Sequence, residues 1–520
     1  MTPLAARTAG ARLKRRILLF LAFAALALAT RAVVLGAGIV DLDEAAYATI
    51  ARGMLHGQAL YAQVADHKPP LVFAWFALAQ GMMLGPSMLS VRLLTYLLLP
   101  PLTALGMSAF FDHDRRGVIA GVTWLVYGAA FVGHDMLAVN CESLMMLPLV
   151  WSVVILRRPE DARRALRLLL AGALVGIATL FKYHAALWLP IGIVGAWGVS
   201  SSPPARVRGA LRASLALGTG FARPLLSAYA LFAVRGTDPD FIYWNLTHNF
   251  SYVAATVGLR TAMERAASSV LPFLLVTAPL WAGVWRLRAE PLDSHRRWLV
   301  LTALALAGLG VVPGERFYPH YLVPLYVPLA WGAAPWLAVH LRRPLSWPGR
   351  LFVGWTAAVL AGFTIATAVL LHRPDVYSER RPVFRAVAAE IHRRACRPDG
   401  PMFVWGFAPQ FYYEADLPPA SRFIFVGWTL VGHVSGGHTD PRVIRQDHWD
   451  WLMHDLHRTP PDFIVDASAA GLSRWNTSVD EFPRFASLLA RRYRRVARLD
   501  GAILWQRKGC RSPGAGLARP

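Results

Sequence analysis

Apolar runs long enough to cross a bilayer, or nearly so, recur through the first 371 residues and leave few folds open to this chain. They fall at about 17–36, 89–111, 117–134, 137–156, 168–182, 184–200, 213–234, 269–287, 298–314, 321–340 and 351–371. A span needs roughly 20 apolar residues, so the pattern predicts a polytopic helix bundle with about 11 spans. Only 16% of the chain's 520 residues are charged, against 55% hydrophobic, which excludes an ordinary soluble enzyme. The first apolar stretch follows "RLKRR" at 12–16, is longer than a signal-peptide core and lacks a convincing cleavage site. It is expected to stay as the first helix.

The formal net charge of +23 would suit a polyanion, but the arginines sit between the apolar runs. "RLKRR", "DHDRR", "RRPEDARRALR", "ARVRGALR", "RLRAEPLDSHRR" and "LRRPLSWPGR" mark the loops that face the cytoplasm in a positive-inside arrangement. No nucleic-acid partner is needed to explain them. Fixing these loops inside sends residues 38–88, the turn near 135–142, 182–185, 235–268, 315–321 and everything after 372 to the other face. Residues 71–86 are apolar too, yet counting them as a span would invert all that follows. They are expected to form an interfacial or partly inserted helix starting at Pro69 and Pro70, since proline suits a first helical turn.

After 372 the hydropathy falls and β-rich runs ("MFVWGF", "RFIFVGW", "DFIVDAS") alternate with helical ones, with a hairpin turning on Asp-Gly in "RRVARLDGAILWQR". The division predicted is a transmembrane domain over 1–371 and a soluble α/β domain over 372–520, outside the cytoplasm. Cys396 and Cys510 stand near the two ends of that second region, where an oxidising compartment would allow a bridge.

Most of the ionisable groups at the predicted helix ends share the outer face: Asp41, Asp43 and Glu44; Asp66, His67 and Lys68; His134, Asp135 and Glu142; Lys182 and His184; Arg316, His320 and Tyr321. Two of only four lysines are in this set. Singly, each has an ordinary explanation: lysines snorkel, Asp43 and Glu44 cap a helix, and aromatic residues line an interface. Together they suit transfer from a lipid-linked phosphate, in which cations hold the departing phosphate and a carboxylate takes the acceptor's proton. A transporter or flippase of a lipid-linked substrate would use the same residue types, but it calls for ionisable groups nearer the midplane, often with internal symmetry that this chain lacks.

"DLDEAAYATIARGMLHG", then "HKPP", "NCESLMMLP", "GIATLFKYHAALWLP" and "ERFYPHYLVPLYVPLAWG" occur in that order over residues 15–340. The ordered set resembles the bacterial family 39 glycosyltransferases, relatives of protein O-mannosyltransferases and lipid A aminoarabinose transferases with the glycosyltransferase C fold. The resemblance implies a multi-spanning, inverting transferase of the inner membrane. Its donor would be a polyprenyl-phosphate sugar, and its acceptor a lipid, glycan or protein. By the same resemblance Asp43 is the expected base within the Asp43–Glu44 pair, and Lys68 and Lys182 sit by the donor phosphate with Arg316 and His320. His67, Glu142, His184 and Tyr321 complete the candidate site. No tight metal-ligand spacing is evident, and neither a metal nor another cofactor is expected.

Overall fold

The computed structural model describes residues 3–82, 85, 87–129, 137–157, 163–193, 203–254, 258–290, 292–373, 382–435, 438–472 and 477–510. His134 and Asp135 lie outside them. The chain forms two compact units, one of Met1–Gly36, Leu89–Leu231 and Gly258–Ala368, the other of Ala37–Met88, Phe232–Val257 and Val369–Pro520.

The first unit is helical. Among the described residues five helices are long and apolar enough to cross a membrane: Gly10–Leu35, Met88–Ala109, Val207–Val234, Pro319–His340 and Trp347–Leu371. A sixth is possible if Leu259–Val276 and Ala278–Arg288, bent by 67°, are one span. Four further apolar runs form shorter helices, Arg115–Tyr127, Cys141–Leu156, Arg164–Thr179 and Ser294–Leu309. At 1.5 Å per residue a 16-residue helix reaches about 24 Å, short of a hydrocarbon core of about 30 Å. Glu142, in the first turn of Cys141–Leu156, and Lys182, just past Arg164–Thr179, stand at the ends of two of these short helices.

Close helix packing here depends on missing side chains. A Cβ at Gly172 would strike the Leu217 carbonyl, and one at Gly220 would strike the Leu169 carbonyl, so helices Arg164–Thr179 and Pro203–Val234 meet backbone to backbone. Small residues allow such approach where lipid offers no hydrophobic drive. The core around them is mainly apolar, with Trp188 and Trp331 wholly buried, though it also encloses charged groups such as Arg92 and Glu142.

In the second unit, helix Leu42–Leu55 follows an extended Asp41 and carries Asp43 and Glu44 in its first turn, where negative charge complements the helix dipole. Helix Pro70–Met82 has 13 residues, about 20 Å, and does not span by itself. Its Phe73 and Phe76 meet the Tyr47 ring edge-on at 5.9 and 5.5 Å. The sheet runs in the order Met402–Trp405, Phe463–Asp466, Ala502–Arg507, Tyr493–Leu499, its first pair parallel and the others antiparallel. Asp500 and Gly501, both with positive φ, make the predicted hairpin turn. "RFIFVGW" is not a strand: the chain there is irregular before a short helix at Trp428–Val431, and Phe423 makes only an isolated bridge to Ala65. Cys396 and Cys510 are joined by a disulfide.

Candidate functional site

Within the second unit, the loop from Tyr61 to Pro70 delivers three ionisable side chains to the start of helix Leu42–Leu55. Lys68 Nζ lies 3.6 Å from Asp43 Oδ2 and 3.9 Å from Asp66 Oδ2. Asp66 also receives the His67 backbone N–H at 2.6 Å and faces His67 Nδ1 at 2.7 Å. Burial disfavours the Asp66 anion, but Lys68 and His67 outweigh it and hold the carboxyl well below the usual carboxylate range. The loop itself is pinned from behind: Tyr61 donates to the Lys68 carbonyl at 2.8 Å, and Asn249 donates to the His67 carbonyl at 2.8 Å. Tyr61 has positive φ, which turns the chain sharply at that point.

Asp43 is the exposed member, its side chain 24% accessible against 9% for Lys68 and 4% for Asp66. Tyr47, one turn on, donates to Asp43 Oδ2 at 3.1 Å. Both contacts use Oδ2, and no described residue bonds Oδ1. A partly exposed carboxylate whose contacts with described residues all fall on one oxygen is well suited to accept a proton. Glu44 points elsewhere. It is fully buried, and its Oε2 accepts the Val40 backbone N–H at 3.1 Å, the reach of a third-position glutamate back over a helix start.

A second carboxylate and lysine meet in the first unit. Lys182 Nζ is 3.0 Å from Glu142 Oε1, with the side chains 11% and 1% exposed, and His320 Nε2 is 4.0 Å from the same oxygen. Lys182 also lies 5.0 Å from the centre of the Tyr321 ring, whose edge meets His184 and His320. His184 Nε2 is buried, with no hydrogen-bond partner among the described residues. The segment bringing in His320 and Tyr321 reverses direction through Gly314, Glu315 and Phe317, all with positive φ. Two non-glycine residues in that region cost about 1–3 kcal/mol each, a conformation that persists only where the surroundings impose it. Arg316, between them, is 2% exposed.

Thus the structure brings together Asp43, His67 and Lys68 in one unit, and Glu142, Lys182, His184, His320 and Tyr321 in the other. Arg316 is buried in the turn just before the second group, and Glu44 serves the helix start. Asp66, part of the polar set with no role assigned to it, is more enclosed than Asp43. Its adjacency to His67 and Lys68 was the available signal. Tyr47, four residues after Asp43, carried the helical spacing that aligns the two. Tyr61 and Asn249 left no mark that sequence reading could use.

No protein-family model matches the chain, and no curated protein is significantly similar to it. Among solved structures it is similar to ArnT from Cupriavidus metallidurans bound to undecaprenyl phosphate, with 15% identity, 96% of this chain and 99% of that one covered, and a TM-score of 0.60. The apo state of the same protein gives 17% identity, coverage of 94% and 97%, and a TM-score of 0.55. The Archaeoglobus fulgidus oligosaccharyltransferase aligns with 11% identity over 88% of this chain and 70% of that one, at a TM-score of 0.49. At these identities the likeness to ArnT concerns the fold, and over nearly the whole of both chains that fold is a helical membrane bundle of the glycosyltransferase C type with a C-terminal α/β region.

Proposed function

We propose that this chain is an integral membrane glycosyltransferase that moves a sugar from a polyprenyl phosphate to an acceptor hydroxyl, with inversion, on the extracytoplasmic face. The observation that carries this reading is Asp43: a partly exposed carboxylate, anchored through Oδ2 by Tyr47 and Lys68, with no described residue bonded to Oδ1. The solved ArnT structure bound to undecaprenyl phosphate, whose fold this chain shares, supports the choice of donor.

In the proposed reaction the acceptor oxygen forms a bond to the anomeric carbon while the bond from that carbon to the phosphate oxygen breaks. The acceptor proton passes to Asp43 and the electron pair leaves on polyprenyl phosphate. Lys68, beside Asp43, stabilises the negative charge that builds on the phosphate, and within their own groups the carboxylates Asp66 and Glu142 hold Lys68 and Lys182 in place. Glu44 and Tyr47 position Asp43. His67, His184 and Tyr321 shape the surroundings of the two lysines. The C-terminal region after 372 lies outside the cytoplasm in this reading, and the membrane is the inner one.

The test is mass spectrometry of envelope glycans, lipids and proteins from cells with the gene, without it, and with Asp43→Asn in its place. The reading expects one glycosylated species to vanish in both altered strains, with its unmodified acceptor accumulating. An Asp43→Asn strain indistinguishable from the parent would sink it.

A further inference from the structure

In the first unit a partly enclosed cavity is lined by Arg31, Thr95, Trp124, Ser143 and Tyr326, with apolar walls that include Leu99 and Val323. Arg31 lies in the first membrane helix, 6% exposed. Its Nη1 donates to Thr30 Oγ1 at 3.0 Å and reaches the Ala27 and Leu125 carbonyls at 3.5 Å, and its guanidinium lies 5.8 Å from the centre of the Tyr96 ring. Among the described residues no carboxylate is within ion-pair distance. That sets it apart from Lys68, which faces two carboxylates, and Lys182, which faces one.

Two other groups on the same walls are unmatched. Trp124 Nε1 and the Tyr326 hydroxyl are buried, their residues 6% and 0% exposed, and neither has a hydrogen-bond partner among the described residues. An indole N–H and a guanidinium can only donate, so they cannot satisfy one another. Buried donors left unpaired are costly, and a buried charge inside a membrane helix calls for an opposite charge. The Ser143 hydroxyl lies on the same walls. The cavity therefore offers positive charge and hydrogen-bond donors on walls that are otherwise largely apolar, and among the described residues no carboxylate balances them.

We propose that this cavity is an anion site that takes a phosphate-type oxyanion. A phosphate oxygen accepts from a guanidinium through charge-assisted bonds, and its remaining oxygens take the Trp124 and Tyr326 donors. The cavity shares two elements with the Glu142 group. Ser143 follows Glu142 in the same helical turn, and Val323 belongs to the segment Pro319–Leu325 that carries His320. The anion has two possible sources, the phosphate of a polyprenyl lipid and free inorganic phosphate. Only the first rests on the proposed function.

The test is equilibrium binding of labelled orthophosphate and, separately, of labelled undecaprenyl phosphate without a sugar, to the full-length protein in mild detergent. Arg31→Gln should weaken one of the two probes by about a hundredfold, since it removes a charge facing a desolvated charge. Tyr326→Phe keeps the cavity's shape, Trp124→Phe enlarges it, and each removes one donor and should weaken the same probe by roughly tenfold. If Arg31→Gln does not fold, the two phenylalanine variants decide. Loss confined to undecaprenyl phosphate assigns the site to the lipid, and loss confined to orthophosphate assigns it to the free ion. Failure of the wild type to bind either probe, or folded variants that bind both as the wild type does, overturns the proposal. Sugar transfer is measured apart, so an inactive transferase that still binds through Arg31 would reject the proposed function and leave this site standing.

Discussion

Replacing Lys182 by methionine should destabilise the protein more than replacing its partner Glu142 by glutamine. At 3.0 Å the pair attracts by about 5–6 kcal/mol at an effective dielectric of about 20. Part of that is offset by desolvation, but deleting one partner of a buried pair leaves the other charge stranded and costs about 3–5 kcal/mol. The two deletions are not equivalent. With Lys182 gone, Glu142 is 1% exposed and, among the described residues, is left facing the imidazoles of His320, at 4.0 Å, and His184. With Glu142 neutral, Lys182 has some exposure and a flexible stem that can carry its ammonium towards water. The ranking expected is wild type, then Glu142→Gln, then Lys182→Met, with the double variant recovering most of the loss because no buried charge remains. Denaturant titration of the detergent-purified protein measures it, the slopes confirming that the same transition is compared. A Lys182→Met protein within about 0.5 kcal/mol of wild type, the scale of an ordinary surface change, would refute the reasoning.

Three further outcomes are expected. Burial, opposed by Asp447 and reinforced by Arg445 and Arg422, pushes the His448 pKa down to about 4, so the unfolded chain takes up a proton first as pH falls below about 6.5. The stability His448 contributes is complete above that value and lost between about 6.5 and 4; an unfolding midpoint that rises on acidification from pH 7 to 5 would contradict this. Reduction of the Cys396–Cys510 bridge, which spans 114 residues, should destabilise the region after 372 by up to about 4–5 kcal/mol in the chain-entropy model, and Cys396→Ser should match the reduced protein without responding to reductant. An introduced Asp440→Cys should react with an impermeant thiol reagent from outside the cell, and Asp114→Cys only after permeabilisation. Labelling of Asp114→Cys from outside would mean that the chain crosses at 70–82 and that the faces are exchanged.

How far the sequence could be read depended on the range of the forces involved. The Asp-Gly hairpin and the helices at 42–55 and 70–82 were legible because their causes are local: a positive-φ turn, acidic residues in a first turn and a leading proline. The gathering of Lys182 with Glu142 was legible at one remove, through loop charge that placed both on one face. Helix lengths were not. Runs such as 117–134 look continuous in hydropathy, yet the helix there ends at Tyr127, because hydropathy measures transfer to an apolar medium and says little about where backbone pairing stops. "RFIFVGW" has the composition of a strand but pairs only through Phe423, a tertiary choice that β-propensity cannot foresee. The separate duties of neighbours Asp43 and Glu44 depend on which way each side chain turns at a helix start, and nothing in the sequence near Arg31 shows that no described carboxylate pairs with it.

The central claim is that Asp43 accepts a proton during transfer from a polyprenyl phosphate, and turnover by the purified protein tests it most directly. Released undecaprenyl phosphate would be measured with a panel of undecaprenyl-phosphate sugars and an envelope extract as acceptor, comparing wild type with Asp43→Asn. Asparagine keeps the shape and removes the proton acceptor, so the rate should fall by roughly 10²–10⁴ while donor binding and the unfolding midpoint stay near those of the wild type. Equal release by both proteins, or release by neither with any donor in the panel, would contradict the claim.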